Sequence, residues 1–141
     1  MSTGIPLPIT APNTSGSYST VERPNVNGDA QLSGDRSTTA KLAQWFNTGV
    51  FAQPAPFTFG SGSRTLPDVR AAGVHQMDFS MFKEFRFTEH RWLQFRAEFF
   101  NVTNTPNFGN PGLTFGTGTF GVISSQLNTP RQIQFGLKLY F

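Results

Sequence analysis

The sequence predicts an all-β protein whose antiparallel strands are joined by long irregular loops. Three observations predict it. In residues 131–141, Ile133, Phe135, Leu137, Leu139 and Phe141 alternate with Gln132, Gln134, Gly136, Lys138 and Tyr140. Side chains two apart share a strand face, so one face of this segment is wholly apolar and the other polar or small. Residues 75–102 show the same period of two on either side of a short polar turn, Thr88-Glu89-His90. The composition agrees: 16 Phe among 141 residues with only 13% charged favours pleated, half-buried surfaces over charged amphipathic helices.

Residues 1–72 read as a loop-rich segment with at most a partial strand and a short helical turn. Ser, Thr, Gly, Pro and Asn dominate 11–40. Ile5, Leu7 and Ile9 alternate around Pro6 and Pro8, which cannot donate to a ladder, so an edge or the end of a strand is the most they can form. Residues 41–51 have room for one or two helical turns before Gly49, Pro54 and Pro56 stop them. Residues 57–73, with Gly60-Ser-Gly-Ser and Asp68, read as loop. Residues 73–141 hold the three strands, at about 74–87, 91–102 and 131–141. The first two form a hairpin, and 103–130 is a long Asn/Gly/Pro/Thr-rich external loop, mobile by composition.

The length allows one modest domain. The absence of cysteine excludes disulfides, thiolate metal sites and a Cys nucleophile. A net charge of +3 without a basic cluster argues against nucleic acid as a partner. No run approaches the ~20 apolar residues of a membrane helix. The first residues lack the basic and apolar regions of a secretory signal.

Chemistry-bearing candidates are few. Gly116-Thr-Gly-Thr-Phe-Gly121 has dinucleotide-motif spacing, but no helix pattern follows to meet a pyrophosphate, so a flexible loop is the better reading. His75 and His90 lack convergent ligands or triad partners. Asn101-Val-Thr and Asn13-Thr-Ser match a glycosylation pattern without a context that would use it. No catalytic, cofactor or metal residues are expected. The polar faces of the strands carry Asp78, Glu84, Arg96, Glu98 and Lys138. They read either as ordinary cross-strand charge pairs on a wet face or as a face turned to the lumen of a barrel. Strands of this length with one bare apolar face, a short turn and a long loop fit a membrane β-barrel, with apolar side chains toward lipid.

The stretch from Asp78 to Gly109 resembles the last hairpin of TonB-dependent outer-membrane receptors, closest to the Oar-like, Acidobacteria-type group. Arg23-Pro-Asn, Trp45-Phe-Asn and Pro54-Ala-Pro-Phe-Thr-Phe-Gly resemble motifs upstream of it, and residues 130–141 are similar to the family's terminal strand. The resemblance covers nearly the whole chain. It implies antiparallel transmembrane strands from the C-terminal end of a large barrel of about 22 strands, closed by a plug and driven by TonB in ligand uptake. It further implies an assembly signal at Phe141, Leu139, Leu137, Phe135 and Ile133, and lumen-facing polar residues Asp78, Arg96, Glu98 and Lys138. The expected partners are outer-membrane lipid, the β-barrel assembly machinery, and the remaining strands and plug, with TonB reached only through that plug. Lacking a signal peptide, TonB box and plug, the chain is expected to be a fragment that acts in the outer membrane as part of a full-length receptor. The alternatives are a secreted β-sandwich binding module, which would close two apolar faces on each other, or a contributor of a few strands to an oligomeric barrel.

Overall fold

The computed structural model describes residues 4–141. The described chain is all-β and antiparallel. In chain order it holds β1 (Pro6–Leu7), β2 (Ala11–Pro12), β3 (Val21–Glu22), β4 (Asn25–Val26), α1 (Thr38–Ala43), a 3-10 turn at Thr48–Val50, β5 (Phe51–Ala52), β6 (Leu66–Arg70), β7 (Phe79–Arg86), β8 (Trp92–Phe100) and β9 (Gln132–Tyr140). These fall into two compact units, one of residues 74–107 with 126–141, the other of residues 4–73 with 108–125.

The first unit is a three-stranded antiparallel sheet in the order β7-β8-β9. Its register runs without a break from Phe79↔Phe99 to Arg86↔Trp92 and from Trp92↔Tyr140 to Phe100↔Gln132. Phe87 N–H donates to the Arg91 carbonyl at 2.9 Å and closes the β7–β8 hairpin over Thr88–His90. β8 and β9 are one or two residues shorter at their ends than the alternation suggests, but β7 starts five residues later than the expected 74, because His75 and Asp78 bond instead to Asn107 and Asn101 in the connection after β8.

The second unit departs from the expectation of at most a partial strand in 1–72. It contains β1 to β6 as three two-stranded antiparallel pairs, β1-β6, β2-β3 and β4-β5. β6 lies in a stretch expected to be loop. Its Pro67 is tolerated because the β1-β6 ladder has only two strands, so each keeps a free edge, and the register shifts between Pro6 and Leu7. α1 starts earlier than expected, where the Ser37 hydroxyl accepts from Ala40 N–H and caps the first turn. The helix ends at Gln44, whose backbone is extended.

The core of this unit gathers Leu7, Ile9, Ala30, Phe46, Phe51 and Val69, with Leu113, Phe115 and Phe120 packed against it. Phe46, Phe51 and Phe120 meet edge to face at centroid distances of 5.1 to 5.6 Å, an arrangement worth about 0.5–1.5 kcal/mol per pair beyond area burial. Residues 108–125, expected to be a mobile loop, are therefore packed. The composition that suggested mobility instead supplies turns: Gly116 and Gly121 take φ of +84° and +78°. A Cβ at Gly121 would stand 2.7 Å from Thr48 Cγ2. The Gly116–Gly121 segment, set aside above as a nucleotide motif, is the turn that delivers Phe120 to the core.

Candidate functional site

The most distinctive surface of the molecule is the pair of faces of the β7–β9 sheet. The register places Phe79, Met81, Lys83 and Phe85 of β7 on one face, with Leu93, Phe95, Ala97 and Phe99 of β8 and Ile133, Phe135, Leu137 and Leu139 of β9. All are apolar except Lys83, which lies in the same row as Phe95 and Leu137. The central Ala97 is buried by its neighbours, but the flanking strands are bare: Leu137 is 68% exposed and Phe135 64%. Phe95 stacks on Phe135 at 6.0 Å, and Phe99 meets the same ring edge-on at 6.4 Å, so the face is a continuous aromatic and aliphatic band.

The opposite face mixes charge, amide and aromatic groups. Arg96 Nη2 lies 2.7 Å from Glu98 Oε1. This ion pair runs along β8 rather than across strands, which corrects the expected cross-strand pairing. Across the ladder Arg96 faces Phe82 and Gly136, while Glu98 faces Ser80 and Gln134, so neither meets an opposite charge there. A Cβ on Gly136 would be 3.9 Å from Arg96 Cβ, ordinary contact. Gln94 Nε2 donates to Glu84 Oε1 at 3.2 Å. Lys138 Nζ sits 4.5 Å from the centre of the Tyr140 ring. That ring stacks on Trp92 at 4.5 Å. Arg96, Glu98 and Lys138 thus lie on one face of the sheet.

Asp78 does not join them. It precedes β7, and its Oδ1 accepts from Asn101 N–H at 2.8 Å. It belongs instead to an amide clasp that sequence reading missed. Asn101 and Asn107 are the buried polar residues of this unit. Asn101 Nδ2 donates to the Thr129 carbonyl at 3.0 Å, and its Oδ1 accepts from Thr105 N–H at 3.1 Å. Asn107 Oδ1 accepts from His75 N–H, and Asn128 Oδ1 from Asn107 N–H, at 2.9 and 2.7 Å. Arg131 N–H donates to Asn104 Oδ1 at 3.0 Å. Asn101 and Asn104 adopt φ of 51° and 49°, a conformation that Asn tolerates better than most side chains. The segments before β7, after β8 and before β9 are tied together at one end of the sheet. The Asn-rich run 101–107 was the available signal, and it was read as the end of a strand, loop, a glycosylation pattern and part of the resembling stretch, but not as a clasp.

Phe141, the last of the expected assembly positions, is 96% exposed beyond the end of β9. Ile133, Phe135, Leu137 and Leu139 line the apolar face. His90 lies in the hairpin turn, and His75 contributes its backbone to the clasp. Among the described residues no group of three or more His, Asp or Glu is placed to hold a metal ion. No helix there is long and apolar enough to cross a membrane.

A bare apolar face backed by a polar one in an unbroken antiparallel ladder is the pattern of a strand set with lipid on one side and water on the other. The family model described as an outer membrane beta barrel domain matches residues 1–134. The chain belongs to the outer membrane beta barrel domain family. No curated protein and no solved structure matches it. As a barrel-type outer-membrane domain, it gives the two faces of β7–β9 distinct surroundings.

Proposed function

We propose that this barrel domain is part of a TonB-dependent receptor of the Oar-like group, a structural portion of a ligand-uptake barrel. The observation that carries the barrel part of this reading is the exposed apolar band of β7–β9. Soluble monomers rarely expose contiguous apolar patches beyond a few hundred Å², and a sandwich would cover this face with a second sheet. β8 and β9, at 9 residues each, match the ~9–11 residues of a tilted transmembrane strand. The free edges of β7 and β9 fit pairing with further strands. The receptor part rests on the resemblance of the stretch from Asp78 to Gly109 and of the upstream motifs.

In this reading Arg96, Glu98 and Lys138 face the lumen, where a plug would meet them. The odd positions from Ile133 to Phe141 serve recognition by the assembly machinery. The decisive experiment reconstitutes the domain within a receptor bearing a plug and TonB box, and follows energised ligand uptake with and without TonB. Uptake that ignores the loss of TonB abandons the receptor reading while leaving the barrel intact.

A further inference from the structure

The second unit holds a cleft of about 340 Å³ lined by, among others, Lys41, Trp45, Phe46, Asp68 and Arg70. Its chemistry follows from how those residues are held. β6 alternates, so buried Val69 turns into the core while Asp68 and Arg70 share the outer face. The indole Nε1 of Trp45 donates to the Arg70 carbonyl at 2.7 Å, which fixes the plane of the ring. Arg70 Nε donates to the Gly4 carbonyl at 2.9 Å, which anchors that guanidinium by one edge, and among the described residues its terminal nitrogens make no hydrogen bond. Arg36 is already engaged: its Nη1 donates to the Gln44 carbonyl at 2.6 Å and its Nε to the Ser33 carbonyl at 3.1 Å, tying the 33–45 segment together. Among the described residues the Lys41 ammonium and the Asp68 carboxylate have no hydrogen-bond or ion-pair partner.

The cleft therefore combines an oriented aromatic ring, two cationic groups and one carboxylate. A flat ring suits the C–H face of a sugar, a carboxylate accepts from sugar hydroxyls, and the surplus positive charge calls for an anionic substituent. The volume lies within the range of ligand pockets and has room for about two sugar rings. We propose that this cleft binds an acidic pyranose, a uronic-acid residue of a glycan. Its carboxylate would lie against Lys41 and Arg70, a hydroxyl would donate to Asp68, and its C–H face would rest on Trp45. This inference does not rest on the receptor reading.

The test uses the full chain refolded in micelles of lauryldimethylamine oxide, a detergent without sugar. The chain has two tryptophans, so a Trp92→Phe background leaves Trp45 as the only indole reporter. Titration with methyl glucuronoside is expected to change the Trp45 emission saturably. Methyl glucoside and inorganic phosphate should each bind about tenfold more weakly, a difference of one decade in Kd. Lys41→Gln should weaken glucuronoside binding about tenfold. Asp68→Asn should weaken the glucuronoside but not phosphate. Each variant is checked by circular dichroism against the parent, so that loss of binding is not loss of fold.

A second arm refolds the chain into phosphatidylcholine vesicles with and without a glucuronosyl glycerolipid. A response to the soluble glycoside assigns the source to free glycan, and a response to the glycolipid alone assigns it to a lipid surface. Absence of a saturable response to both sugar forms overturns the proposal. So does equal binding of phosphate, or a Lys41→Gln variant that binds as the parent does.

Discussion

Lys83 and Leu137 occupy one row of the apolar face, and their chemistry sets a local measure of depth. A charge facing lipid near the bilayer midplane costs about 2–4 kcal/mol, falling toward the interfaces. Lys83 can extend its stem along the face and carry its ammonium toward the headgroups, but Leu137→Arg would put a second cation in the same row. The variant is expected to lose about 2–4 kcal/mol of folding stability in refolding titrations into vesicles. Gln134→Arg, on the opposite face beside Glu98, should lose much less. Equal losses would reverse the facing assigned to β9. Lys83→Leu should raise the folded fraction in the same titration.

The clasp gives a second expectation at this scale. Asn101 is 5% exposed and bonds groups on both sides of a long connection. Asn101→Ala strands those backbone partners, a cost of about 1–3 kcal/mol. It should also speed amide exchange at Thr105, whose N–H that side chain holds. An unchanged denaturation midpoint would mean that water replaces the clasp without loss.

Among the elements, β9 carries the heaviest functional expectation. Its apolar positions pair with those of β8 along the whole ladder, so they contribute to the folded sheet regardless of any role in recognition. The two roles separate in time at Phe141, which lies outside the ladder. If the alternate positions are read by the assembly machinery, deleting Phe141 slows assembly in pulse-chase labelling while assembled barrel keeps its resistance to heat and protease. If Phe141 is only an aromatic anchor at the interface, assembly keeps pace and the assembled product weakens.

The 103–130 connection is the other element with a topological consequence. A tag at Gly112 would collide with the Thr119 carbonyl, whereas Gly118 has open space around it. In the outer-membrane barrel a tag at Gly118 is expected to react with an impermeant label on whole cells. Labelling only after the outer membrane is broken would place this connection on the periplasmic side.

For the whole molecule, the apolar band sets the solvent. Its exposed Phe135 and Leu137, together with the unpaired edges of β7 and β9, are liabilities in water. The chain expressed without detergent is expected to aggregate or to associate with lipid. A monodisperse, cooperatively melting monomer in plain buffer, seen by light scattering and calorimetry, would count against lipid exposure of this face and for a covered sandwich. The aromatic core around Phe46, Phe51 and Phe120 is a separate source of stability. Its unit should retain amide protection under detergent conditions that loosen the sheet.

Alternation by itself marked the last three strands and, inside the ladder, the membership of each face; the short 88–90 turn marked the hairpin, and the pairing of β9 with β8 across the long connection came only with the fold. A strand repeats every two residues, and both the apolar band and the polar face are written in that repeat. The placement of Arg96, Glu98 and Lys138 on one face was legible for the same reason. Asp78 was not, because parity holds only inside the ladder, and Asp78 lies one residue before it. In the second unit the trace was faint: Ile5, Leu7 and Ile9 alternate about β1, but Pro6 and Pro8 hid its extent, and nothing of the kind marked β2 to β6. Two-residue strands such as Pro6–Leu7 and Phe51–Ala52 are too short to show a period, and their partners lie far along the chain. Only the fold decided that Phe120 packs on Phe46, that Trp45 and Arg70 line one cleft, and that Asn101, Asn107 and Asn128 join in one clasp. Such convergence depends on long-range geometry, in which each residue is chosen by its neighbours in space, whereas periodicity records only neighbours in sequence.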